Sequence, residues 1–96
     1  MHLRFIHTRE EHHVYTFLAF VDDGESEDEL TKDDFKCIAS IGWYLVDTPQ
    51  TMLDWQNTIA TYVANMMRRD GFEIGEITFG DGHEYEPPVG SDECEE

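Results

Sequence analysis

Two stretches near the start of the chain alternate apolar and polar side chains with the two-residue period of a β-strand. In the first, Leu3, Phe5 and His7 oppose Arg4 and Ile6. The second, Val14-Tyr15-Thr16-Phe17-Leu18-Ala19-Phe20-Val21, is dense in aromatic and β-branched residues. Together they predict strands over 3–9 and 13–21, joined by the short polar loop Arg9-Glu10-Glu11-His12. Phe72-Glu73-Ile74-Gly75-Glu76-Ile77-Thr78-Phe79 alternates in the same way and predicts a further half-buried strand.

Between these lies a helical period. Thr48 suits an N-cap, and Pro49 follows at the first helical position, where its missing N–H is harmless. Met52, Gln56, Ile59, Val63 and Met66 then trace a stripe widened by Leu53, Ala60 and Met67. Arg68 and Arg69 fall in the last turn and Gly71 just beyond it, which predicts a helix from about 49 to 69. The segment 35–46 admits two readings. Phe35, Ile38, Ala39, Gly42 and Leu45 form a helical stripe, whereas Cys37, Ala39, Ile41, Trp43 and Leu45 alternate as a strand. Gly42 costs a helix about 1 kcal/mol, and Trp43-Tyr44-Leu45-Val46 favours extended chain. Thr31-Lys32-Asp33-Asp34, a capping-box pattern placed directly before the run, tips the expectation to a helix.

The element order is then strand, strand, helix, helix, strand. The expected fold is α+β: a three-stranded, mostly antiparallel sheet with two helices on one face. With 96 residues, the chain is expected to form a single globular domain over 1–82 and an acidic, flexible tail over 83–96.

Charge alters this picture more than composition does. Twenty-two acids against six bases give a formal net charge of -16, well beyond the magnitude of about 2–8 that keeps a small domain soluble. The acids are not spread evenly. Eight lie in 22–34 (Asp22, Asp23, Glu25, Glu27, Asp28, Glu29, Asp33 and Asp34) and ten in 70–96, leaving four for the rest of the chain. Residues 22–34 are too polar to bury surface and are expected to form a solvated loop. No basic cluster is present to release counterions from a phosphate backbone, so direct binding to nucleic acid is not expected. No apolar run approaches the roughly 18 residues that read as a membrane span, and Met1-His2-Leu3-Arg4-Phe5 lacks the pattern of a signal peptide. The cytoplasm is the expected location.

The chemistry-bearing residues form few constellations. Glu10-Glu11-His12-His13 offers metal-ligand types, but neighbours on a strand point to opposite faces, so a polar turn is the simpler reading. Cys37 and Cys94 lack zinc spacing and are read as a buried thiol and an incidental exposed one. Gly80-Asp81-Gly82-His83 brings an Asp near a His, but two glycines make it a turn first. No nucleophile elbow, phosphate loop or dinucleotide fingerprint occurs. The expectation is a protein that is not an enzyme, with no catalytic residues, no metal and no cofactor.

What remains is binding. The expected partner-binding residues are the eight acids of 22–34, together with Trp55, which lies off the main helical stripe. A charge of -16 matches roughly 27 Å of B-form DNA axis, at one charge per ~1.7 Å. In size, in charge and in the acidity of Asp22–Asp34 and the C-terminal third, the chain resembles phage-encoded inhibitors, including DNA mimics and anti-CRISPR proteins. That resemblance implies stoichiometric occupation of the basic nucleic-acid-binding surface of a partner protein, in a host-cell cytoplasm. The runner-up is a small assembly or regulatory module that dimerises, or caps a partner, through a sheet edge or an exposed aromatic.

Overall fold

The computed structural model describes residues 1–86. Four strands and one α-helix appear in the order β1 (His2–Glu10), β2 (His13–Val21), β3 (Lys36–Gly42), α1 (Pro49–Arg69), β4 (Glu76–Phe79), with single 3-10 turns at Glu27–Glu29, Lys32–Asp34 and Trp43–Leu45. The strands form one sheet in the order β3-β2-β1-β4. β1 and β2 make an antiparallel hairpin from His2↔Val21 to Glu10↔His13, turning at Glu11 with φ 52°. β3 pairs antiparallel with β2, with a bulge that leaves Ile38 as the extra residue. β4 pairs with β1 in parallel, from His2↔Glu76 to Phe5↔Phe79.

This overturns the expected three-stranded sheet with two helices. The sheet has four strands and is mixed, and there is one helix. The error lies in residues 35–46. The capping pattern does form, with the Thr31 backbone N–H donating to Asp34 Oδ2 at 2.8 Å, but it caps a single 3-10 turn. The β-favouring residues behind it then pair with β2, whose outer edge would otherwise be bare. Alternate residues of a strand laid there exchange ladder hydrogen bonds with β2, whereas an isolated short helix is marginal on its own. Cys37, read as buried, is exposed on this strand.

The two faces of the sheet are closed by different parts of the chain. One carries Leu3, Phe5, Leu18 and Phe79, which form the hydrophobic core with Ala60 and Ala64 of α1 and with Ile74. The helix begins as its sequence predicts. Thr48 Oγ1 accepts from the Thr51 backbone N–H at 3.1 Å and Pro49 opens the first turn. Its buried line is Gln56, Ala60 and Ala64, so the stripe is rotated from the expected one, and Leu53 and Met66 are exposed. Small Ala side chains bring the helix close to the large residues of β1. On the opposite face, residues 22–35 return across the sheet. Residues 83–86 also belong to the packed body. Tyr85 lies against the core, its hydroxyl hydrogen-bonded to Thr61, and the Glu86 N–H donates to Asn57 Oδ1 at 3.1 Å. The rest of the expected tail, 87–96 with Cys94, lies outside the described residues.

Candidate functional site

The acid-rich segment is not a plain solvated loop. Ser26 and Thr31 start two consecutive 3-10 turns, and Ser26 Oγ accepts from the Asp28 N–H at 3.2 Å. One acid ties the turns to the sheet. Glu27 Oε2 lies 2.8 Å from Arg4 Nη1 and 3.4 Å from His2 Nε2, and accepts from Thr78 Oγ1 at 2.6 Å. His2, Arg4 and Thr78 share the face turned away from α1, because in the register His2 pairs with Glu76 and Arg4 with Thr78, between the core-facing pairs Leu3↔Ile77 and Phe5↔Phe79. The Thr78 hydroxyl, then Arg4 and His2, hold the Glu27 carboxyl below the ordinary glutamate range against an opposing push from burial.

The other seven acids of 22–34 are exposed. Asp34 is occupied in its cap and Asp23 reaches the N-terminal ammonium at 3.2 Å, while Glu25, Asp28, Glu29 and Asp33 make no ion pair among the described residues. Seven carboxylates thus stand on a short ridge that Glu27 ties to the sheet, with Asp23 at the N-terminus and the Lys32–Asp34 turn against β2 as further points of contact. Beside the ridge a groove of about 360 Å³ is lined by Ile6, Thr8 and Phe17 of the sheet and by Lys32, Asp33 and Phe35. Trp55 does not join this surface. It sits on α1, on the other side of the sheet, half-buried, and its indole N–H is shut off from solvent without a partner. The Glu10–His13 cluster ends as an exposed turn, and no group of three His, Cys, Asp or Glu among the described residues converges as a metal site.

A second polar constellation stands where β4 ends. Gly80 donates its N–H to Phe5 O at 2.8 Å and continues the ladder by one bond; a side chain there would meet Ile6 Cγ2 at 2.7 Å, so only glycine lets the chain pass so close. Past it, the turn folds His83 back over Phe79, ring on ring at 4.0 Å. The Asp81 carboxylate accepts from the His83 N–H at 3.1 Å and from its imidazole Nδ1. Burial works to raise the Asp81 carboxyl, but the backbone and ring of His83 outweigh it and hold it below the ordinary aspartate range. Asp81 and Gly80 line a recess of about 290 Å³ with Ile6, His7 and Gln56. His7 is pushed down to about 4 by burial, partly offset by Asp81, so at neutral pH its ring carries no charge. His7 Nε2, Gln56 Oε1 and His83 Nε2 are all buried without a hydrogen-bond partner.

Asp81 and His83 belong to the glycine turn expected of Gly80-Asp81-Gly82-His83. What the sequence does not show is that the strand before the turn is short and parallel to β1, which sets the turn beside His7 and beneath Gln56. Gln56 carried a usable signal: an amide in the middle of an apolar stripe, at a position that is 4% exposed, is a polar group in need of a partner. No family model, no curated relative and no solved structure matches this chain.

Proposed function

We propose that this protein is a non-catalytic acidic binding protein that occupies the basic nucleic-acid-binding surface of a partner protein and blocks it, in the manner of DNA mimics and anti-CRISPR inhibitors. One observation carries the reading: the exposed acids of 22–34 sit on a backbone that Glu27 fixes to Arg4 and Thr78, so the charges are held in place before binding. A disordered acidic run gives up ordering entropy when it binds; a fixed ridge gives up little and keeps its charge spacing. The domain measures 38 × 35 × 22 Å, large enough to cover the ~27 Å of groove that its charge matches at ~1.7 Å per charge. With the protein field at -16, encounter with a Lys/Arg groove is steered and salt-dependent.

The test begins with capture of partners from lysate and their identification by mass spectrometry. It continues with Glu25, Asp28, Glu29 and Asp33 replaced by their amides and Glu27 kept. The variant folds as wild type and binds the captured partner with an association rate lower by roughly tenfold or more at low salt, a gap that narrows as salt rises. Unchanged association across salt overturns the reading.

A second reading is favoured by the β3 edge. Residues 35–46 contain no acid and expose Ile38, Tyr44 and Leu45, an apolar edge at which a second copy or a partner strand would meet the least repulsion. The bulge and Lys36 on this strand are devices that discourage edge pairing, which ranks this reading below the first. Concentration-dependent sedimentation distinguishes them, because dimerisation through β3 is lost with Ile38→Asp and indifferent to the four amide substitutions.

A further inference from the structure

The recess beside β4 holds polar atoms that the fold itself leaves without partners. Gln56 is 4% exposed, and its amide oxygen, although buried, accepts no hydrogen bond. An unsatisfied buried acceptor has given up its hydration without a replacement, so an arrangement that keeps several together calls for something to fill the space between them. His7 Nε2 is in the same condition at the same recess, and Asp81 completes its polar wall. The Asp81 carboxylate also accepts from the His83 ring at Nδ1, and His83 Nε2 is itself buried and unmatched. The count is lopsided. The Gln56 amide oxygen and the Asp81 carboxylate are acceptors, the uncharged His7 ring offers one more acceptor nitrogen, and no Lys or Arg lines the recess. About 290 Å³ is far more than one water needs and lies at the lower bound of small-ligand sites, roughly 300 Å³.

What suits a small acceptor-lined recess in a domain of charge -16 is a compact group rich in N–H donors. Anions are repelled. A guanidinium fits better than an ammonium because it is planar, presents five donors in a fixed fork and gives up its weak hydration easily on entering a half-buried site. We propose that this recess binds a guanidinium group, with the Asp81 carboxylate and the Gln56 amide oxygen as its principal acceptors and His7 Nε2 as a further one. Such a group comes either from an arginine side chain of a protein or from a free guanidino compound. Ile6, on the edge of β1 beyond its pairing with β4, lines both this recess on the α1 side and the groove beside the acidic ridge on the other, so a basic protein would reach both by wrapping that edge. The arginine source rests on the proposed function; the chemistry of the recess does not.

The probe is methylguanidinium, titrated at millimolar concentration into the isotope-labelled full chain, with methylurea as its neutral isostere. The expected result is saturable shifts at the His7 ring and the Gln56 side-chain amide with methylguanidinium, and binding weaker by at least about tenfold with methylurea. Asp81→Asn abolishes the saturation while the spectrum stays dispersed and the melting temperature stays within a few degrees of wild type; Asp81 is exposed at the mouth, so the fold survives the change. Equal binding of methylurea, no saturation, or saturation undiminished in Asp81→Asn overturns the proposal. A Lys-Arg-Lys peptide tells the sources apart. Binding by the peptide about tenfold tighter than by methylguanidinium identifies a protein side chain, and the reverse order a free guanidino compound. Methylguanidinium binding that persists when the ridge acids are amidated, in a variant that has lost its protein partner, separates this site from the ridge.

Discussion

The two faces of the sheet are closed by opposite means. Towards α1, Leu3, Phe5, Leu18 and Phe79 meet the alanines of one helix, and stability comes from apolar area and close packing. Away from it, the cover is a segment with eight acids in thirteen residues, held chiefly by Glu27 on Arg4, His2 and Thr78. An apolar contact tolerates no water and serves only the fold. A charged anchor costs desolvation and stabilises weakly, but it fixes a row of other charges in solvent. The first face makes the domain stable and the second gives it a surface. The faces should differ in the size of their contributions and in how they respond to pH.

Phe5→Ala should produce the largest loss. Phe5 is fully buried and packs 5.8 Å, centroid to centroid, from Phe79, so truncation leaves a cavity in the centre of the helix-side core. The expected cost is about 3–5 kcal/mol in denaturant unfolding, a large share of the stability of so small a domain. A loss under about 1 kcal/mol would mean that the helix face is not the principal source of stability.

The His7 ring comes next. Its folded-state pKa of about 4 lies below the unfolded value of 6.5, so between these values the unfolded chain binds the proton more readily than the folded one. The contribution is fully present above pH 6.5 and is lost as the pH falls towards 4. It amounts to at most about 3.4 kcal/mol. Because the 22 acids titrate in wild type and variant alike, the quantity to measure is the difference between wild type and His7→Gln across this window, which should narrow or change sign as the pH falls. A difference independent of pH would place the ring in water.

How far the sequence foretold these faces depends on the locality of the signals. β1, β2 and α1 were legible because each announces itself within its own residues: the alternation of Leu3, Phe5 and His7, and the Thr48-Pro49 start followed by a helical stripe. β3 was not, because its local cap pointed to a helix and the deciding factor was the open edge of β2, twenty residues away. The parallel pairing of β4 with β1 is likewise a product of the whole chain. It determines where Asp81 and His83 end up, so the recess was hidden although every one of its residues was in view. The acids of 22–34 were recognised as a surface, but nothing in the string separates Glu27 from its neighbours. That distinction needs Arg4 and Thr78, which lie far apart in sequence and meet only when β1 and β4 pair.

Glu27→Gln should cost about 1 kcal/mol, since it removes the charge from a half-exposed contact that keeps some of its hydrogen bonds. The folded-state pKa is depressed, so the contribution is present above the ordinary glutamate range and lost as the pH falls through the lowered value. Wild type and Glu27→Gln therefore differ at pH 7 and converge in acid. No difference at pH 7 would release the ridge from its anchor and weaken the case for preset charges.

The smallest effect carries the comparison furthest. Replacing Glu25, Asp28, Glu29 and Asp33 with amides touches no ion pair among the described residues and no buried side chain, so the core has no reason to respond. Removing four charges from a domain at -16 relieves repulsion, and the melting temperature should stay the same or rise slightly, by the equivalent of about 0.5 kcal/mol or less, most visibly at low salt. The expected pattern, a single anchor acid that stabilises beside four acids that slightly destabilise, is what a surface retained for binding looks like. Were the four-fold variant instead to lose stability comparable to Glu27→Gln, the exposed acids would be structural. The ridge would then be part of the fold's own support, and the second face would differ from the first only in its materials.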